Sequence, residues 1–180
     1  MVVKIGLFVP AIMLMASHAM AADPQHPVVQ GYGAITPISS ARERPDPSIR
    51  YRTLFSVTKA AASPDKVNPS LDKVARFLNL LGADSVRPKR GDVVVIIHGP
   101  ATTLVMNEIA YGTRTTAATN PNLPLIAALH SAGVSVRVCS QALVGNKIDP
   151  ATVAKDVEID VSALTTLATL QLRGWAMIPD

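Results

Sequence analysis

The chain has 180 residues, 48% of them hydrophobic, a formal charge of +4 and one cysteine, which fits a single domain with a real core. The lone thiol excludes an internal disulfide framework and C-x-x-C dithiol chemistry. The basic residues are scattered (Arg42, Arg44, Arg50, Arg52, then Arg87, Lys89, Arg90) and not interleaved with aromatics, so a solvated face is expected and no nucleic-acid partner.

The opening segment, MVVKIGLFVPAIMLMASHAMAADPQ, sets Lys4 before an apolar run from Ile5 to Met15, then a small-x-small site at Ala19-Met20-Ala21. It reads as a secretory signal peptide over residues 1–21, too short for a comfortable membrane span; an uncleaved anchor is the alternative. The expectation is an exported protein, periplasmic if the source is a Gram-negative bacterium, with no membrane span once the leader is removed. Residues 22–50 are rich in Pro, Gly and Ser and lack periodicity, as in an extended arm that wraps the domain.

From Tyr51 the pattern changes. YRTLFSVT reads as a strand, and NPSLDKVARFLNLLGA as a helix with Leu71, Val74, Phe77, Leu78 and Leu81 on one face and Gly82 as its stop. GDVVVIIHG is a continuous β-branched run, the signature of a strand covered on both faces. NPNLPLIAALHSAG is a helix that Asn120 or Asn122 can cap, with Pro124 in its first turn and Gly133 at its end. VSVRVC and VEIDV are strands, SALTTLATLQLRG is a helix ending at Gly174, and WAMIP is a short last strand. Strands alternating with helices predict an α/β domain with a mostly parallel sheet between helices.

Ligands of an open parallel sheet collect outside the carboxyl ends of its strands. Two reactive groups fall there: His98, closing VVVIIH, and Cys139, closing VSVRVC. If those strands are neighbours, thiol and imidazole share one crevice. Ser140-Gln141-Ala142-Leu143 can begin a helix, whose N-terminus would favour a thiolate and bring a cysteine below its usual pKa of ~8.5. Arg137, two residues back on the same strand face, would add positive potential, or else marks an exposed face and never approaches the sulfur. The bland readings stay open as well: a cysteine packed as a small hydrophobe, and a hydrogen-bonded core histidine. His26 falls in the arm and His130 on a helix, and no ligand-spaced cluster joins Cys139 and His98, so no metal is expected. GPATT lacks the lysine and spacing of a phosphate loop, and no G-x-S-x-G elbow marks a serine hydrolase.

The segments VIIHGPATTLVMN, NPNLPLIAALHSAGVSVRVCSQAL and VSALTTLATLQLRGWAMIPD, in that order, resemble exported members of the DsrE/DsrF-like sulfur-relay family, as do the leader and the GYGAITP arm. The resemblance spans nearly the whole mature chain, with residues 51–180 as the family domain. It implies a three-layer α/β/α sandwich with a mainly parallel sheet of about five strands, association as homotrimers or homohexamers, and a persulfide-carrying cysteine at Cys139. On that view His98 orients the sulfur or shares its proton. Ser140, Gln141, Asn107 and Tyr111 are pocket candidates, the last two by residue order alone. The partners are a sulfur donor and an acceptor thiol, with no metal or organic cofactor. Ser140 stands where the exported relatives tend to show glycine, and the segment from Gln141 to Val157 is shorter than that branch leads one to expect. The alternative function is an oligomeric small-ligand-binding or assembly module in which Cys139 is structural.

Overall fold

The computed structural model describes residues 23–180; the expected signal peptide lies outside the described residues. Five strands form one sheet: β1 (Thr53–Val57), β2 (Val93–Ile97), β3 (Ser135–Cys139), β4 (Glu158–Asp160) and β5 (Ala176–Ile178). Their order is β4-β3-β2-β1-β5 and every pairing is parallel. β2 is central and buried at all its positions, which is why its sequence is unbroken Val and Ile. The side-chain period of two splits the core. Phe55, Val57, Val93, Val95, Ile97, Val136 and Val138 face one way, and Leu54, Val94, Ile96 and Cys139 the other.

The helices are α1 (Pro69–Ala83), α2 (Glu108–Arg114), α3 (Leu123–Ser131), α4 (Ser140–Gly145) and α5 (Ala163–Leu172). Topology decides which face each covers. From β1 to β3 the chain steps in one direction across the sheet, so right-handed crossovers put α1 and α3 on the same face. From β4 it returns across the whole sheet to β5, and the same handedness sends α5 over the opposite face. The sandwich is therefore lopsided. On the second face α5 packs down through Ala163, Leu167 and Leu170 on Leu54, Val94, Ile96 and Cys139, with Ala142 of α4 and Trp175 at the margins.

One expected cap and one expected stop play other roles. Asn122 takes the N-cap position of α3, but its Oδ1 accepts the backbone N–H of Asn68 instead of capping, and Asn120 Nδ2 donates to the carbonyls of Leu104 and Met106. Gly82 does not stop α1, because it lies inside the helix. A Cβ there would sit 2.3 Å from Val28 Cγ2, so this glycine serves close packing, and the left-handed residue past the helix end is Ser85 (φ 62°).

The neighbour that needs this space is the arm. Residues 25–36 fold back on themselves through a Gln25–Ile35 bridge and lie on the outer side of α1 as a strap. Val29 is 2% exposed and belongs to the main core. Gly33 (φ +59°) lies so close that a Cβ would meet Arg76 N at 2.1 Å.

Candidate functional site

β2 and β3 are neighbours, and their register pairs Ile97 with Val138. His98 and Cys139 come one position later, opposite each other at the carboxyl edge and about 4.8 Å apart strand to strand. Both follow the alternation of Ile96 and so face the α5 side of the sheet. The two strand-end residues singled out from sequence thus stand on one rim of the sheet.

Their side chains do not bond to one another. His98 Nε2 lies 3.0 Å from Ser56 Oγ on β1, so the ring leans away from β3. Cys139 is 5% exposed and packs in the apolar cluster of Leu54, Val94, Ile96, Ala163 and Leu170. It is also the N-cap residue of α4, with no side-chain capping bond.

The other candidates scatter. Arg137 shares the face of Cys139, but its guanidinium turns aside: Nε donates to Ser135 Oγ at 2.8 Å, and Nη1 lies 3.5 Å from Asp160 Oδ2. Ser140 Oγ donates to the Val161 carbonyl at 2.7 Å, tying the start of α4 to the end of β4 rather than reaching the sulfur. Gln141 is exposed on α4. Asn107 caps α2, accepting from the Ala110 N–H, and borders a cavity of about 410 Å³ between α3 and the segment Ala154–Asp156. Tyr111 is buried in the opposite core, donates to the Pro64 carbonyl at 2.8 Å, and is pushed above the usual phenol range by burial. Neither joins Cys139. Among the described residues no group of three or more His, Cys, Asp or Glu could hold a metal.

Sequence reading missed the residues around His98. Ser56 carries no local signal in YRTLFSVT; only the pairing of β1 with β2 brings it to the imidazole. Asp180 is the second. Its carboxylate accepts from the N–H groups of Thr58 and Lys59 and from the hydroxyls of Thr58 and Ser70. Partial burial pushes this carboxyl up, but those hydrogen bonds win and hold it well below the usual carboxylate range. Burial also lowers the His98 pKa from its ordinary 6.5, and the charge of Asp180 offsets part of that.

A lowered histidine value means that the unfolded chain binds the proton more readily. Stability from neutral His98 is complete above pH 6.5 and is lost as pH falls through the folded value. Urea unfolding at stepped pH should show this decline in the wild type and a shallower one in His98→Gln. Equal slopes would remove His98 as its source.

The DsrE/DsrF-like family model matches residues 42–179. Among solved structures, a protein of unknown function, MTH1491 from Methanobacterium thermoautotrophicum, is 19% identical. The match covers 72% of this chain and 99% of that one, with a TM-score of 0.51, which supports the fold. No curated protein matches. The strap on α1 precedes the matched region, whereas the sheet, His98 and Cys139 all fall inside it, and the chain belongs to the DsrE/DsrF-like family.

Proposed function

We propose that this protein is an exported sulfur carrier of the sulfurtransferase type, holding sulfane sulfur as a persulfide on Cys139. Family membership supports a sulfur relay in general terms. The observation that carries the assignment to Cys139 is its position: the one thiol closes β3 at the carboxyl edge of a parallel sheet, begins α4 and stands opposite His98. That edge is where such sheets gather ligands, and the N–H groups in the first turn of a helix have no partner within it.

The chemistry balances without an external oxidant. The Cys139 thiolate attacks the outer sulfur of a persulfide donor, the donor S–S bond breaks, and the donor leaves as a thiolate. Cys139 now carries the terminal sulfur. An acceptor thiolate attacks that sulfur and releases Cys139 unchanged. Incubation with a small persulfide should add one sulfur atom to the protein by intact mass. Reductant should remove it and Cys139→Ser should never acquire it. A wild-type mass that stays unchanged after exposure to excess donor would overturn the proposal.

A second reading rests on a specific observation. At 5% exposure among Leu54, Val94 and Ile96, Cys139 also fits the apolar core of a binding or assembly module. Association into a homotrimer or homohexamer belongs to the proposal on either reading. α5 is the main cover of its face and leaves Leu164 (80%) and Leu172 (89%) exposed, one helical stripe beside Val161 (74%). Light scattering should return a mass near three or six subunits at micromolar concentration. A monomer throughout would remove the assembly.

A further inference from the structure

We propose that the loop following β1 is a binding site for a small oxyanion, and that the chain's own Asp180 carboxylate occupies it here. Three donors converge on Asp180 Oδ2: the N–H of Thr58 at 2.8 Å, the N–H of Lys59 at 2.8 Å and the Thr58 hydroxyl at 2.9 Å. The Ser70 hydroxyl donates to Oδ1. Lys73 adds a positive charge beside them, its Nζ donating to the Pro179 carbonyl at 3.0 Å. Consecutive backbone N–H groups flanked by hydroxyls and a lysine form a concavity suited to negative oxygen. A sulfate or a carboxylate presents the same atoms to it.

The cradle is held open by groups other than its occupant. The peptide that carries the Thr58 N–H is pinned at its carbonyl, Val57 O, by the N–H of His98 at 3.0 Å. The next peptide, which carries the Lys59 N–H, is pinned at Thr58 O by the N–H of Ala101 at 3.1 Å. Ser70 is set by the α1 cap: the fully buried Asn68 accepts its N–H at 2.9 Å and donates to the Lys59 carbonyl at 2.8 Å. Donors fixed in this way need no rearrangement when an anion arrives, and that is what makes a polar cluster a binding site. Asp180 is then an intramolecular competitor. A free oxyanion must displace it, and doing so exchanges the charge next to His98.

Neither the cradle nor its occupant includes Cys139, which lies two strands away on β3. Binding can therefore fail while sulfur loading succeeds, and the reverse. The test uses the mature chain as wild type, as Asp180→Ala, and as Asp180→Ala combined with Thr58→Val. Each is titrated with sodium sulfate or sodium acetate, against chloride at matched ionic strength. The backbone amide resonances of Thr58 and Lys59 report on the site. In Asp180→Ala both should shift and saturate with sulfate, with an apparent affinity at least about tenfold above wild type, where the tethered carboxylate competes at high effective concentration. Thr58→Val should weaken that binding several-fold. Saturation by acetate at equal affinity would make carboxylates the natural occupants, and tighter sulfate binding would favour tetrahedral oxyanions; both outcomes support an oxyanion site. If Asp180→Ala does not fold, Asp180→Asn replaces it, and its neutral amide should still yield to sulfate more readily than the carboxylate does. In a folded variant, amide shifts that match chloride and never saturate would overturn the site. So would equal sulfate affinity in wild type and Asp180→Ala.

Discussion

Asn79→Ala is expected to destabilise the protein by about 2–4 kcal/mol, the cost of leaving several buried backbone groups without partners. Asn79 is fully buried on α1, and all four of its hydrogen-bonding capacities go to the strap. Its Oδ1 accepts the N–H groups of Val28 at 2.9 Å and Val29 at 2.8 Å, while Nδ2 donates to the carbonyls of Tyr32 at 2.8 Å and Gly33 at 2.9 Å. Alanine removes every one of these bonds, and water cannot replace them where Val29 is packed into the core. Asp72 holds the strap at one further point, through the Gly33 N–H at 2.7 Å, so the strap should loosen rather than leave. Urea unfolding of the protein measures the loss, and limited proteolysis should place the first cut within residues 25–36. A loss under about 0.5 kcal/mol, typical of a surface change, would show that the strap contributes little.

The second large effect concerns access to Cys139. With 5% of its surface exposed, the thiol must be uncovered before any sulfur moves. Native protein is expected to react with a small alkylating reagent much more slowly than the unfolded chain, yet without global unfolding. The cover comes from Ala163, Leu167 and Leu170 of the single helix α5, Ala142 of the short α4, and Trp175. A local opening of these elements costs less than disrupting the whole sheet. Asn79→Ala separates the two routes, because the strap packs on the opposite side of the molecule, against α1. Were global unfolding required, its loss of about 2–4 kcal/mol would speed alkylation roughly 30- to 1000-fold. Through local opening the rate should stay within about threefold of wild type. Acceleration by the full unfolding factor would make Cys139 a core residue and would sink the carrier assignment with it.

Much of this fold was written in local pattern. The β-branched run of β2, the capped and periodic α1 and the alternation in β3 identified themselves, because burial on one or both faces dictates which residue types a segment can carry. The family was legible as well, since the order of segments along the chain resembles that of its members and the family model matches residues 42–179. Pattern also put His98 and Cys139 at strand ends, hence at one edge of any parallel sheet. It left open whether they were neighbours, as strand order comes from long-range pairing. The tertiary structure settled that, and it settled where each side chain went. His98 turned to Ser56 because β1 lies on its other side, and Arg137 turned to Asp160 because β4 does. Gly82 read as a helix stop because glycine commonly is one; only the docked strap shows that its missing Cβ makes room for Val28. Asp180 and Thr58 lie 122 positions apart, and nothing near either announces the other. Local periodicity determined the elements because each reflects its own burial. The contacts that could carry chemistry were decided by long-range pairing, β1 beside β2 for Ser56 and His98 and β5 beside β1 for Asp180 and Thr58, since a hydrogen bond between distant residues exists only after the chain between them has folded.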